Sequence, residues 1–429
     1  MTETLSNHSF ARPLSAFESY FAVTSATIWI TDHVSGPLDL DTLQQAWDLL
    51  RRAHPVLTAR LTVAPEDESV SGLRGLAIVV PAEPEPAPIG QIAEDALTLG
   101  AGEPVAKLRV AVDSGRARVA LAFHHAITDG RLVQHWHHEL WSYYTDLAAG
   151  RNPEVQSHPV PQSPEALLGE RGIVKQALGQ SRLAQAIPTN LPSGRSVNPI
   201  LWRRVQLGVD DTAALLACAK RRGQTVHSLV AGVVALLTRR FLPVDHDRAV
   251  DINVVSPVDI RTRVEPPVPV WAGTNILGMA NSVVAVQSDS DPIEVGAAVT
   301  EQLVEDLVSG VIHQSFLHMA DTVDKPRPLV PRTLTTNLGV IGDIPLPAGL
   351  EILEARNALR FDWAPVIALM EATGQTDHPL LRTSVHIIHT YRGNLSIDFS
   401  TYLTAERAES YSGAFEALLL GMAARGPAQ

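Results

Sequence analysis

Val119-Ala120-Leu121-Ala122-Phe123-His124-His125-Ala126-Ile127-Thr128-Asp129-Gly130 is the stretch around which the chain is organised. An apolar run delivers two adjacent histidines, an aspartate follows the second by four positions, and a glycine closes the turn. A buried strand that ends in His-His and breaks at Asp-Gly places titratable groups where the backbone leaves the core. A rigid strand fixes such a side chain, while the loop after it leaves room for a ligand. His125 is therefore the candidate catalytic residue, in a loop that also holds His124, Asp129 and Gly130.

Immediately upstream, Leu108 to Val112 alternates apolar and polar residues. Asp113-Ser114-Gly115 turns the chain, and Ala117 to Phe123 returns, which predicts a hairpin whose second strand carries the histidines. A helix is expected from about Arg131 to Leu147, ending at Gly150. Near the C-terminus the same grammar recurs. Thr383 to Thr390 and Leu395 to Tyr402 form a second hairpin around Arg392-Gly393-Asn394, followed by a helix from about Ala405 to Met422. Its return strand carries Asp398-Phe399 instead of histidines. The repetition implies an α+β chain of two similar lobes meeting at a cleft that His125 faces.

Between the two halves, Arg151 to Pro199 is rich in Pro, Ser and Gln, with a short helical patch around Gly172 to Ala186. It reads as a crossover. The expected organisation is an N-terminal lobe over 1–170, a linker over 171–200 and a C-terminal lobe over 201–429. Elsewhere, Ser15 opens a helix, Asp39 or Asp41 caps another that His54-Pro55 stops, and Asp210 and Asp211 cap a third. Ala249 to Val255 reads as a buried strand, which Pro257-Val258-Asp259-Ile260-Arg261 leaves.

Bulk properties narrow the function. A chain of 429 residues with 45% hydrophobic and 19% charged residues is globular and long enough for two lobes. A net charge of −12 argues against a nucleic-acid binder. The single cysteine, Cys218, permits neither an internal disulfide nor a cysteine metal site. No apolar run approaches the roughly 20 residues of a membrane span, and the N-terminus lacks a basic signal region. A cytoplasmic location is expected. His135 and His138 could share a metal, but no His-Glu-x-x-His occurs and no carboxylate completes a convincing set, so none is expected. The arginine pairs Arg51-Arg52, Arg203-Arg204, Arg221-Arg222 and Arg239-Arg240 read as helix ends and solvated faces.

An imidazole titrates near neutrality and can take a proton from a hydroxyl or amine and return it. No Gly-x-Ser-x-Gly nucleophile elbow occurs. Direct transfer, with His125 activating the acceptor, is favoured over an acyl-enzyme, and a thioester is the natural electrophile because a thiolate leaves readily. Asp129 could orient the imidazole or pair with an arginine, Arg261 being the candidate.

The motif His-His-x-x-x-Asp-Gly resembles the signature of the condensation-domain and CoA-dependent acyltransferase superfamily, and closest to the polyketide-associated acyltransferases. Gly36-Pro37-Leu38-Asp39, His54-Pro55, Pro257 to Arg263 and Thr336-Asn337-Leu338-Gly339 resemble further segments of that branch. The resemblance implies two chloramphenicol-acetyltransferase-like lobes in a V-shaped pseudo-dimer, with mixed β-sheets and flanking helices. It implies His125 as general base, His124 and Gly130 as loop-shaping positions, and Asp129 paired with Arg261 (or Arg263); Asn337 is a candidate cleft hydrogen-bond donor or a turn former. The Gly130 N–H would assist the oxyanion. No cofactor would be bound tightly. Phosphopantetheine on an acyl carrier protein, or coenzyme A, would bring the acyl group as a thioester to an alcohol acceptor. An amide-forming condensation enzyme and a non-catalytic carrier-binding module are the alternatives. The absence of a Gly-Arg-Pro segment at Arg261 tilts the reading towards ester formation.

Overall fold

The structure, a computed structural model, describes residues 8–63, 75–92, 98–177, 200–319, 331–364 and 383–425. The N-terminal half forms β1 (His8–Pro13), α1 (Ala16–Val23), β2 (Thr27–Ser35), α2 (Leu40–Ala53), β3 (Arg60–Val63), β4 (Leu76–Pro81), β5 (Gly90–Gln91), β6 (Ala106–Asp113), β7 (Arg116–His124), α3 (Gly130–Ala148) and α4 (Pro164–Glu170). The C-terminal half forms β8 (Leu201–Leu207), α5 (Val209–Arg221), α6 (Val226–Arg240), β9 (Val250–Asp259), β10 (Leu277–Val286), α7 (Pro292–Val308), α8 (Val311–Leu317), β11 (Arg332–Ile341), β12 (Glu351–Arg360), β13 (Ser384–Tyr391), β14 (Asn394–Thr401) and α9 (Ala405–Ala423).

Two mixed sheets carry the two halves. One has the order β12-β2-β7-β6-β5, the other β10-β9-β11-β13-β14-β8, and β1-β4-β3 form a small third sheet. The two hairpins are built alike. Ser114 and Gly115 in the first, and Arg392 and Gly393 in the second, all have positive φ. This is the two-residue turn whose twist matches the strands it joins, and glycine takes its second position without strain. Each return strand is followed by a 19-residue helix, α3 or α9. Counted from the turn glycine, Tyr402 occupies the place of His124. Asp398, by contrast, lies within β14 opposite Arg204, so the second lobe has no equivalent of the histidine loop.

β7 is buried on both faces from Val119 onward. Val119, Leu121 and Phe123 enter the main core. The small Ala120 and Ala122 face a second cluster with Trp29 and Leu99. A strand packed on both sides holds its last residue rigidly, and that residue is His124.

The sheets interleave the halves. β12 lies late in the sequence, yet pairs antiparallel with β2 from Glu351↔Ser35 to Arg360↔Thr27, at the edge of the N-terminal sheet. The chain also reaches the second lobe before residue 171. The Gln162 N–H donates to the Ala272 carbonyl, and the Thr274 N–H returns a bond to the Gln162 carbonyl. Residues 172–177 contain no helix, and the rest of the expected helical patch lies outside the described residues.

One open choice is decided and two local expectations need correction. Asp39, not Asp41, caps α2, accepting from the Thr42 N–H at 2.7 Å. The N-cap of α5 is Gly208, with Asp210 and Asp211 in its first turn, where they still complement the helix dipole. β9 does not end before Pro257 but runs to Asp259. Its parallel pairing with β11 covers only Asn253 to Val255. Past that point Pro257 has no ladder on that side, so its missing N–H leaves no gap.

Candidate active site

Every residue from His124 to Asp129 is buried. The loop is fixed by its own polar groups. The His124 N–H donates to the Val105 carbonyl, the His125 N–H to the Ala26 carbonyl and the Ile127 N–H to the His124 carbonyl. The Ala126 N–H donates to His124 Nδ1 at 3.1 Å. That bond makes Nδ1 of His124 an acceptor, so its proton is on Nε2. Burial, with the neighbouring His125 adding to it, pushes the His124 pKa down to about 3. His124 is thus a neutral loop former.

His125 has the opposite tautomer. Its Nδ1 lies 2.7 Å from the Thr128 carbonyl. A carbonyl only accepts, so Nδ1 carries the proton and Nε2 keeps its lone pair. Burial lowers the imidazole pKa, while the Thr128 carbonyl and the Asp129 charge pull it upward without cancelling the effect. Phe21 packs on the ring at 4.3 Å between centroids.

Asp129 serves two elements with its two oxygens. Oδ1 caps α3, accepting from the Arg131 and Leu132 N–H groups at 3.0 Å each. Oδ2 faces the second lobe, 2.8 Å from Arg261 Nη1 and 2.8 Å from the Ile276 N–H. The Arg261 side chain is 3% exposed and that of Asp129 is 0% exposed. Burial disfavours the Arg261 charge, but Asp129 and Asp259 more than offset it, and its pKa rises above the usual arginine value. Arg263 is exposed and takes no part in this pair. Asp129 makes no hydrogen bond to the imidazole, so of its two possible roles the geometry realises the arginine pair.

Gly130 is the first residue of α3 and has no left-handed φ. Its reason is spatial: a Cβ there would lie 2.5 Å from Leu338 Cδ2, on β11 of the other lobe. Asn337, beside it, is exposed, and its Oδ1 accepts from the Gly339 N–H at 2.8 Å. It shapes the irregular stretch of β11.

Sequence reasoning missed the run Thr274-Asn275-Ile276. Thr274 Oγ1 donates to Glu18 Oε1 at 2.7 Å. Glu18 is fully buried and is held by both terminal nitrogens of Arg12 at 2.7 Å. Asn275 is fully buried; its Nδ2 donates to the His125 carbonyl at 3.3 Å and sits 3.1 Å from Nδ1. Its Oδ1 has no partner. Three consecutive residues of the second lobe therefore grip α1, the histidine and the aspartate. Their partners lie 147 to 256 positions away in sequence, and short polar residues near a glycine look like any turn.

Members of two of the arginine pairs are engaged within the fold. Arg204 binds Asp398 and Glu354, while Arg239 donates to the 245, 246 and 248 carbonyls. Among the aromatic residues, Phe361 stacks on Trp363, and Trp271 stacks on His158.

A two-lobed α+β fold with a buried His-His-x-x-x-Asp-Gly loop defines the condensation-domain and CoA-dependent acyltransferase superfamily. The polyketide synthase associated protein 5 from Mycobacterium tuberculosis has the same fold, with a TM-score of 0.78 at 25% identity, over 96% of this chain and 98% of that one. The first condensation domain of the calcium-dependent antibiotic synthetase shares the fold at a TM-score of 0.64 and 16% identity, over 98% of each chain. The family model described as phthiocerol/phthiodiolone dimycocerosyl transferase C-terminus matches residues 199–400. The phthiocerol/phthiodiolone dimycocerosyl transferase of Mycobacterium tuberculosis (strain ATCC 25618 / H37Rv) is 30% identical over 365 residues, covering 80% of this chain and 85% of that protein. The enzyme of the same name from Mycobacterium ulcerans (strain Agy99) is 28% identical over 363 residues, covering 80% and 84%. The chain belongs to the phthiocerol/phthiodiolone dimycocerosyl transferase family. It is an acyltransferase of lipid and polyketide biosynthesis, which sets aside the non-catalytic alternative. Among the described residues no helix is long and apolar enough to cross a membrane.

Proposed function

We propose that the protein moves an acyl group from a thioester donor to a hydroxyl acceptor, with His125 as general base. The observation that carries this is the tautomer: the Thr128 carbonyl holds the proton on Nδ1, so Nε2 is the basic atom. Nε2 takes the acceptor's hydroxyl proton as that oxygen bonds to the thioester carbonyl carbon. The tetrahedral intermediate then collapses, the C–S bond breaks, and the leaving thiolate recovers the proton from Nε2. Asp129 and Arg261 hold the loop between the lobes. The cap leaves the Gly130 N–H without a hydrogen-bond partner, at the positive end of α3, and it is the donor we assign to the oxyanion.

The donor is a phosphopantetheine thioester on an acyl carrier protein, or an acyl-coenzyme A, either of which places the reaction in the cytoplasm. A hydroxyl acceptor is supported by the family relatives, whose names make phthiocerol a substrate. No tightly bound cofactor is required by this chemistry. Asn337 and Arg263 are kept as candidate contacts for substrates reaching the cleft, since both side chains are exposed.

The test is His125→Ala with one acyl thioester offered to alcohol and amine acceptors, the products read by mass spectrometry. Wild type should give the ester, and the variant should lose roughly 10²–10⁴ in rate while remaining folded. Unchanged turnover in the variant would remove His125 from the reaction. An amide as main product would reassign the enzyme to condensation.

A further inference from the structure

The three histidines on α3 have different destinations. His137 Nε2 bonds Asp32 at 2.6 Å, in the core. His138 turns to Ser142 on the same helix. His135 faces Glu139, one helical turn on, and also His54 at the end of α2. His54 Nε2 lies 2.7 Å from Glu139 Oε2, His135 Nε2 lies 3.8 Å from the same oxygen, and the three atoms all fall within 4.8 Å of one another.

We propose that His54, His135 and Glu139 form a Zn²⁺ site that fastens the end of α2 to α3. Two imidazoles and a carboxylate are a zinc donor set, and bond lengths of about 2.0–2.2 Å in a tetrahedron separate such donors by roughly 3.3 Å. His54 and Glu139 are closer than this and His135 is farther, so small opposite side-chain shifts make the set. The Tyr143 hydroxyl donates to Glu139 Oε1 at 2.6 Å. This outer bond aims Oε2 at the histidines, as partners behind metal ligands do. The His135 side chain is 38% exposed, so the fourth position opens to water.

The site also touches the lobe boundary. The His54 ring stacks on His158 at 5.0 Å, and His158 stacks on Trp271 at 4.8 Å, in the segment that carries Thr274 and Asn275. A metal that immobilises His54 steadies this stack. The sequence hid the site because His54 precedes Glu139 by 85 positions, and the pairing of His135 with His138 drew attention from Glu139, one turn on.

Calorimetric titration of Zn²⁺ into the chelator-treated full chain at pH 7 tests the proposal, with thermal unfolding recorded beside it. One equivalent should bind and raise the unfolding temperature. His135→Ala and Glu139→Gln should abolish both effects while unfolding cooperatively in the absence of zinc. Tyr143→Phe, which removes only the outer bond, should weaken binding by roughly 10–100-fold, and His138→Ala should change neither readout. Two outcomes overturn the site: no zinc binding by wild type, or binding that survives both ligand substitutions and so belongs to other histidines. In the second case His54 and Glu139 are an ordinary hydrogen-bonded pair.

Discussion

Asp129 Oδ2 and Arg261 Nη1 are 2.8 Å apart in a contact that joins the two halves of the chain. Asp129 has four partners: Arg261 and the N–H groups of Arg131, Leu132 and Ile276. Arg261 has fewer, since its Nε and Nη2 are buried without partners. Removing the aspartate leaves the buried guanidinium with Asp259 alone, 3.2 Å away, and uncaps α3. Removing the arginine leaves a carboxylate that still accepts three backbone bonds. Asp129→Ala should therefore cost about 3–5 kcal/mol of stability, and Arg261→Ala less. Urea unfolding of both variants decides it, and an arginine variant that is the less stable of the two would contradict this ordering.

Asn275→Ala should lower kcat by between about tenfold and a hundredfold, the scale of a misplaced catalytic group. The acceptor KM should hardly move. The amide touches His125, not the substrate, so it positions the base. Its Oδ1 has no partner to lose, so thermal stability should change little. Steady-state kinetics over a range of acceptor concentrations separates the two parameters. A rise in KM with constant kcat would show that Asn275 binds substrate instead.

The acidic limb of kcat/KM should lie below the ordinary histidine value of 6.5, because burial lowers the His125 pKa. The base works only when neutral, so a depressed pKa extends activity to lower pH. A pH-rate profile with saturating donor reads this limb. A limb at or above 6.5 would mean that another group controls the reaction.

Stability should also fall on acidification, for a related reason. Burial holds His124 at about 3, and His227 and His386 at about 4, each lowered from 6.5. The unfolded chain protonates these groups first. Their full contribution is present above pH 6.5 and is lost as pH falls towards 4 and then 3. Each contributes up to about 1.4 kcal/mol per pH unit within that window. Thermal unfolding should be level above about pH 6.5 and decline steadily from there to pH 5, and a flat profile throughout would be incompatible with neutral imidazoles at these three positions.

These residues also mark how far the sequence could be read. The hairpin, α3 and the pairing of Asp129 with Arg261 were legible because each is signalled locally, by alternation, by a cap, or by a motif with a known partner. β12 was not legible as a strand of the N-terminal sheet, since its only signal is the distant partner β2. Asn275 was hidden for the same reason: it meets His125 across 150 positions. His54, His135 and Glu139 show the intermediate case. His135 was singled out beside His138, but Glu139 one turn on was passed over, and His54 required coordinates.

Gly130 offers the sharpest test, because two physical effects predict opposite signs. Within a helix, alanine is favoured over glycine by roughly 0.5–1 kcal/mol, and Gly130 has no left-handed φ that would forbid a side chain. On backbone grounds alone Gly130→Ala should stabilise the protein. The new Cβ, however, would stand 2.5 Å from Leu338 Cδ2. Relief falls to the Leu338 side chain, whose end is the contacting atom, while its backbone stays held by the bond from Gln134 Nε2 to its carbonyl at 3.2 Å. Turning that side chain out of its packing should outweigh the backbone gain narrowly, giving a loss near the lower end of the roughly 1–3 kcal/mol usual for overpacking. Leu338→Ala removes the obstructing methyl and should restore much of this loss in the double variant, a coupling of about 0.5–3 kcal/mol between contacting sites. Activity should follow stability, since Gly130 adjoins the residue that caps α3 and holds Arg261. If Gly130→Ala is stabilising, or if the two substitutions are additive, the lobes do not meet at this glycine as described.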